Sequence, residues 1–149
     1  MSAEGTVVGR KTVEHSALKI GFLVNPIAGI GGPLGMKGSD HVVSLNSNEH
    51  IAKSREEQRS FQRAKQCLSL IQGRVEFVSA PSVMGEDLLH ELGFDLVSVV
   101  GEISKVTSAC DTQSIVEAMC NIPLDLLVFV GGDGTARDIC SAVRPSPPV

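Results

Sequence analysis

The fold is decided by one stretch, Asp125-Leu-Leu-Val-Phe-Val130, which runs into Gly131-Gly-Asp-Gly-Thr135 and then into a segment ending at Val143. After Asp125 every residue up to Val130 is apolar, which is typical of a strand buried on both faces of a sheet. The segment that follows, 135–143, has the pattern of a helix and not of a second strand. The sequence therefore predicts a buried strand, a glycine-rich turn and a helix, in that order.

The same alternation of strand and helix recurs toward the N-terminus, where apolar runs alternate with residues at helical spacing. The predicted elements are a strand at 19–25, a helix at 51–72 followed by Gly73, a strand at 74–79, a helix at 82–92 followed by Gly93, a strand at 95–100, a helix at 111–120 with Asp111 or Thr112 as its N-cap, a strand at 125–130 and a helix at 135–143. We expect an α/β fold: a three-layer nucleotide-binding domain with a parallel sheet of about four or more strands. Ligands of such sheets bind beyond the carboxyl ends of the strands.

The chain divides into three parts by composition. Residues 1–18 are polar and predict a loose N-terminal arm, and residues 19–144 carry the α/β domain. Residues 145–149 contain three prolines, which is typical of a linker. The exposed edges of a thin sheet favour pairing with a second copy, so a homo-oligomer is an expected assembly.

Composition excludes several classes of function. The chain has 149 residues, a net charge of −4 and neither Trp nor Tyr, which argues against nucleic-acid binding. The longest apolar run, 122–130, is far shorter than the ~20 residues that cross a bilayer, and the N-terminus lacks the apolar core of a signal peptide. The four cysteines are scattered without a Cys-x-x-Cys pair, as in reduced thiols. We expect a cytoplasmic protein with no membrane or nucleic-acid partner.

The turn Gly131–Thr135 has the residue types of a phosphate site. Glycines at a helix start allow positive φ and close approach to the backbone, and the free N–H groups there attract anions. Thr135 is expected to cap the helix or to donate its hydroxyl to an anion. Asp133 suits a base that accepts a proton from an attacking hydroxyl, or a contact to magnesium. The alternative is a tight Asp-Gly hairpin turn.

A second glycine cluster, 25–40, follows the first predicted strand and includes Gly29, Gly31 and Gly32. It is not a Walker A loop, because Lys37 follows Met36 and not a glycine. It is not a dinucleotide fingerprint either, because Leu34 stands where the third glycine belongs. A surface loop is the alternative, but two glycine-rich loops at one sheet edge favour a shared ligand cleft.

Four segments in order resemble a known family. They are Asn25-Pro-Ile-Ala-Gly-Ile-Gly-Gly-Pro-Leu-Gly-Met-Lys-Gly38, Ala80-Pro-Ser-Val-Met-Gly-Glu-Asp87, Thr107-Ser-Ala-Cys-Asp-Thr112 and Gly131-Gly-Asp-Gly-Thr-Ala-Arg-Asp-Ile139. The last of these resembles the superfamily of NAD kinases and diacylglycerol or sphingosine kinases. Together the four are similar to the predicted ATP-NAD kinase family that includes the acetoin-catabolism protein X type.

The resemblance implies a phosphotransferase that moves a phosphoryl group from ATP, or polyphosphate, to the 2′-hydroxyl of NAD with Mg²⁺ assisting. It gives the activation of that hydroxyl to Asp133. The residues it assigns to binding the nucleotide and its phosphates are Asn25, Gly29, Gly31, Gly32, Thr107, Gly131, Gly132, Gly134 and Thr135. It assigns no metal ligand.

Members of this family are longer and carry a second, β-rich domain after the Gly-Gly-Asp-Gly-Thr helix. The resemblance therefore predicts that this chain is the N-terminal part of such an enzyme, inactive alone. Two other functions remain open at this point: a lipid or other small-molecule kinase of the same superfamily, and a non-catalytic nucleotide-binding module.

Overall fold

The computed structural model describes residues 17–28, 59–105 and 107–143, which form one parallel sheet with helices on both faces. The strands are β1 (Leu18–Val24), β2 (Val75–Ser79), β3 (Leu96–Val99) and β4 (Leu126–Val130). The helices are α1 (Arg59–Leu68), α2 (Glu86–Glu91), α3 (Ala109–Cys120) and α4 (Asp133–Ala142), with a 3-10 turn at Ser82–Met84. The predicted α/β class and parallel sheet are confirmed.

The strand order is β3-β2-β1-β4, and every pair is parallel. The chain moves outward from β1 through β2 to β3 and then returns across the sheet to place β4 on the other side of β1. The connection from β1 to β2 therefore runs to one side of β1, whereas the connection from β3 to β4 ends on its other side. The strand order thus reverses between β1 and β4. In open α/β sheets the crevice at such a reversal is where ligands bind.

Strand β1 carries no polar side chain from Ile20 to Val24, where both of its faces are covered. One core cluster, on the face covered by α1 and α2, contains Ile20, Phe22 and Val24. The other cluster, on the face covered by α3 and α4, contains Leu23. Phe22 meets Phe77 edge-on at a ring-centroid distance of 6.1 Å. Burial of these side chains on two faces is the main source of stability of a fold of this kind.

The outer strands are less buried than their apolar sequences predict. The exposed apolar side chains are Leu126 and Phe129 on β4 and Val97 and Val99 on β3. These strands stand at the two edges of the described sheet, where one neighbour is absent. Asp125, just before β4, accepts a hydrogen bond from the Lys19 backbone N–H at 2.8 Å, which aligns the start of β4 with β1.

Several predicted boundaries are wrong. The first helix ends at Leu68 and not at residue 72, and the predicted residues 51–58 lie outside the described ranges. The predicted helix at 82–92 is a 3-10 turn and a short α-helix separated by Gly85. Helix α3 begins two residues early, because its N-cap is Ser108 and neither Asp111 nor Thr112.

Within the described ranges no helix is both long enough and apolar enough to span a bilayer. Residues 1–16 and 144–149, which include most of the expected arm and the Pro-rich end, lie outside those ranges.

Candidate nucleotide site

The loops that leave β1 and β4 start side by side at the carboxyl edge of the sheet. The two strands pair up to Val24 and Val130, and the Asn25 backbone N–H then donates to the Val130 carbonyl at 2.8 Å. The sheet ladder thus continues one residue past the end of β1. Asn25 and Gly131 are therefore neighbours at the crevice between the diverging connections.

Asn25 makes contacts in both directions along the chain and across the crevice. Its side-chain Oδ1 accepts from the Ile27 N–H at 3.1 Å, and its carbonyl accepts from the Ala28 N–H at 3.1 Å, which closes a turn around Pro26. Its Nδ2 donates to the Thr135 Oγ1 at 2.8 Å. One side chain thus joins the loop after β1 to the first turn of α4.

Thr135 lies inside helix α4 and does not cap it. The N-cap is Gly132, and no side chain caps the helix. The expectation that Thr135 is the cap is therefore wrong, because the helix starts at Asp133, two residues before the predicted start. Its side chain is only 4% exposed, so its hydroxyl faces Asn25 and the protein interior, not solvent.

The three glycines of this turn stand at positions with different surroundings, so they are glycine for different reasons. None has positive φ, contrary to expectation; within the described residues the glycines that do are Gly73, Gly85, Gly93 and Gly101. A Cβ added to Gly131 would lie within 2.6 Å of Thr135 side-chain atoms, so glycine is required there by packing. A Cβ at Gly132 or Gly134 would meet no atom of the described residues within 4 Å. Neither backbone conformation nor the neighbouring atoms of the described residues explain these two glycines.

The N-terminus of α4 presents free backbone donors to solvent. The first helical hydrogen bond of α4 runs from the Ala136 N–H to the Gly132 carbonyl at 3.0 Å. The N–H groups of the three residues before Ala136 therefore have no acceptor within the helix. Gly132, Asp133 and Gly134 are all exposed. Uncapped N–H groups and the positive end of the helix dipole make this a place that attracts anions.

Asp133 is the first residue of α4, and its side chain is exposed at the mouth of the crevice. Because the turn leads into a helix, the hairpin alternative for Asp133-Gly134 is wrong. A carboxylate in the first helical turn is also favoured by the helix dipole alone, so position does not by itself assign chemistry.

Thr107 precedes the N-cap of α3, the helix that packs beside α4. The following residues form a capping box: the Ser108 side chain accepts from the Asp111 N–H, and the Asp111 carboxylate accepts from the Ser108 N–H at 2.7 Å. Sequence analysis missed this cap, although the pattern Ser108-x-x-Asp111 signals it.

Asp111 holds the loop before α3 with its two carboxylate oxygens. Oδ2 accepts from the N–H and hydroxyl of Ser108, and Oδ1 accepts from the N–H and hydroxyl of Ser104 at 3.1 and 2.9 Å. Burial would raise the pKa of Asp111, but these hydrogen bonds from Ser108 and Ser104 outweigh it and hold the pKa below the ordinary value of 3.8. The residue is a structural anchor for the loop that carries Thr107.

The structure brings together Asn25, Gly131 and Thr135 in direct contact, with Gly132, Asp133 and Gly134 exposed beside them. The predicted site residues Gly29, Gly31 and Gly32 lie outside the described residues.

Ser82, on the loop after β2, is the one described non-glycine residue with positive φ, at 47°. Its backbone N–H donates to the Glu86 carboxylate at 2.8 Å, which holds this turn.

A doubly wound parallel sheet with an open helix N-terminus at its reversal point defines a nucleotide-binding type of α/β domain. The family model of the ATP-NAD kinase N-terminal domain matches residues 20–149, and the chain belongs to this family. Kinase-like phosphotransfer is the kind of function that this family indicates. No curated protein and no solved structure matches the chain significantly.

Proposed function

We propose that this chain is the domain of an NAD kinase that binds the phosphoryl donor and activates the acceptor, transferring a phosphoryl group from ATP or polyphosphate to the 2′-hydroxyl of NAD. The observation that carries the proposal is the exposed N-terminus of α4, where Gly132 and Gly134 leave open space beside uncapped N–H groups. A phosphate explains why glycine stands at positions where the described residues do not require it.

In this proposal the N–H groups of Asp133 and Gly134 bind phosphate oxygens. The Asp133 carboxylate accepts the proton of the attacking hydroxyl, whose oxygen bonds to the transferred phosphorus as the bond to the departing nucleotide oxygen breaks. The exposure of Asp133 supports this role, because an acceptor molecule can reach it. Thr107, at the start of the adjacent helix, and Gly29, Gly31 and Gly32 are proposed to border the same nucleotide.

The donor ATP implies Mg²⁺. The described residues contain no group of three or more His, Cys, Asp or Glu side chains that could cage a metal. Mg²⁺ commonly binds through one or two carboxylates plus substrate phosphates, and the Asp133 carboxylate beside the phosphate-binding turn fits an ion that arrives with the nucleotide. When bound, the ion neutralises negative charge on the phosphates.

The finer placement in the acetoin-catabolism protein X branch is also a proposal. It rests on the order of the four sequence segments that begin at Asn25, Ala80, Thr107 and Gly131. The experiment described below also tests whether NAD is the phosphoryl acceptor.

The testing experiment is calorimetric titration of MgATP, and separately of NAD, into the wild-type chain and two variants. Gly132→Val places a branched side chain in the open space and is expected to abolish MgATP binding. Asp133→Asn is expected to weaken MgATP binding less than Gly132→Val does, because the backbone N–H groups remain. Loss of 2′-phosphorylation of NAD is measured by mass spectrometry of the products, with Asp133→Asn placed in a form of the enzyme that also carries the second, β-rich domain.

Asp138→Asn, five residues along α4 from Asp133, is the control for removal of a carboxylate. Binding without any turnover in the wild-type form that carries the second, β-rich domain would instead favour a non-catalytic module. Unchanged binding by Gly132→Val would overturn the proposed phosphate site.

A further inference from the structure

We infer that Asn25 and Thr135 form a latch that sets the position of the nucleotide-binding loops, so that both act as positioning residues and neither contacts the nucleotide. The inference rests on the proposed function for its effect on ligand binding. It changes the roles of two residues that the family resemblance assigns to the nucleotide itself.

Asn25 has little hydrogen-bonding capacity left for a ligand. Its backbone N–H, its carbonyl and its Oδ1 are engaged by Val130, Ala28 and Ile27 respectively. Its Nδ2 donates to the Thr135 hydroxyl oxygen at 2.8 Å. An asparagine held in this way fixes a loop, because both of its side-chain hydrogen bonds, to Thr135 and to the Ile27 N–H, must break before the side chain can turn toward a ligand.

Thr135 is placed equally firmly. It is 4% exposed, and the face of Gly131 lies so close that a Cβ there would come within 2.5 Å of the Thr135 Cβ. A buried side chain that packs against a backbone glycine on one side and accepts from Asn25 on the other offers no surface to a phosphate. Gly131 therefore belongs to the latch as the residue that makes room for Thr135.

The latch joins residues 110 positions apart in sequence, on the two sides of the crevice. The sheet ladder fixes only where the loop after β1 begins, through the Asn25 N–H and the Val130 carbonyl. The Asn25–Thr135 bond then fixes how the turn at residues 25–28 lies relative to the N–H donors of α4. A nucleotide that contacts both loops needs this relation to be set before it binds, since ordering loops on binding lowers affinity.

A double-mutant cycle on MgATP affinity tests the latch, using Asn25→Ala, Thr135→Val and the double variant. Loss of the latch is expected to raise the Kd of each single variant about tenfold, the equivalent of one net hydrogen bond. The double variant is expected to bind no more weakly than Asn25→Ala, because both changes break the Asn25–Thr135 bond and Asn25→Ala also removes the acceptor of the Ile27 N–H. Losses that multiply in the double variant would mean that Asn25 acts independently of Thr135, and would overturn the inference.

Two control variants separate positioning from general destabilisation. Thr135→Ser retains the hydroxyl oxygen and is expected to restore affinity toward the wild-type value. Ile139→Val removes a buried methyl group from the same helix and is expected to lower the melting temperature with an unchanged Kd. If Ile139→Val weakens MgATP binding as much as Thr135→Val does, the effect is one of stability and the latch is rejected.

Amide hydrogen exchange tests the latch without any ligand. Thr135→Val is expected to speed exchange of the Ile27 and Ala28 amides, both of which are held by Asn25. Unchanged exchange at these amides would overturn the latch. If the wild-type chain fails to bind MgATP while Thr135→Val still speeds this exchange, the proposed function fails and the latch stands.

Discussion

Gly131 and Thr135 are packed so closely that a Cβ built on Gly131 lies 2.5 Å from the Thr135 Cβ and 2.6 Å from both Thr135 Oγ1 and Cγ2. The Cβ of Thr135 is fixed to the helix backbone and cannot rotate away. The contact is therefore relieved only by moving the start of α4 or the end of β4.

Gly131→Ala is expected to destabilise the fold by about 2 kcal/mol, as overpacking in a tightly filled site typically does. The measurement is chemical denaturation of the purified variant. Gly131→Ala combined with Thr135→Ala, which leaves the Cβ contact, is expected to recover little. Wild-type stability in Gly131→Ala would show that α4 can shift freely at its first turn.

Gly132 and Gly134 are expected to behave in the opposite way. Because an added Cβ meets no atom of the described residues at either position, alanine is expected to cost no packing. Gly134 is within α4, where alanine is more favourable than glycine by up to about 1 kcal/mol. Gly134→Ala should therefore keep or raise the free energy of unfolding while weakening MgATP binding, measured by denaturation and calorimetry on the same sample. A variant that is more stable and binds normally would remove the reason for glycine at this position.

The element order and the sheet class could be predicted from sequence because the apolar runs and the helical segments differ in period. The strand neighbours could not, since nothing in the run Leu126–Val130 specifies that it pairs with β1 and not with β3. That pairing is what brings Asn25 to Thr135. The boundaries of α3 and α4 were predicted too late because Ser108 and Gly132, their N-caps, precede the residues with helical periodicity.

The roles of the glycines depend on three-dimensional neighbours that a sequence does not contain. Positive φ was expected at the turn after β4, but the helix starts there with ordinary backbone angles, such as φ −98° at Gly132. Gly131 is glycine because of Thr135, a residue four positions later whose burial follows from tertiary packing. Sequence alone treats the three glycines as one motif, whereas the structure separates a packing role from two open positions.

Gly85 is expected to be a sensitive glycine outside the candidate site. Its Cβ would lie 2.7 Å from the Ser79 Oγ and 3.2 Å from the Phe22 carbonyl oxygen, which is part of the central strand. Gly85→Ala is expected to cost about 1 to 3 kcal/mol of stability. Gly73→Ala is the control, because it also has positive φ, at 101°, but meets nothing within 4 Å. Equal losses of stability in the two variants would show that only backbone conformation matters.

Asp111 is expected to make stability depend on pH in the acid range. Its folded-state pKa is held below 3.8, because the hydrogen bonds from Ser108 and Ser104 outweigh the opposing effect of burial. The stabilisation is therefore present above the unfolded pKa of about 3.9 and is lost as the pH falls through the lower folded value.

Asp111→Asn should cost about 1 to 3 kcal/mol at pH 7, since the amide nitrogen then faces N–H donors, and the difference from wild type should shrink below about pH 4. Urea denaturation at several pH values measures this, with Glu117→Gln, an exposed carboxylate on the same helix, as the control. A difference that stays constant down to pH 2 would mean that the charge on Asp111 does not hold the loop before α3.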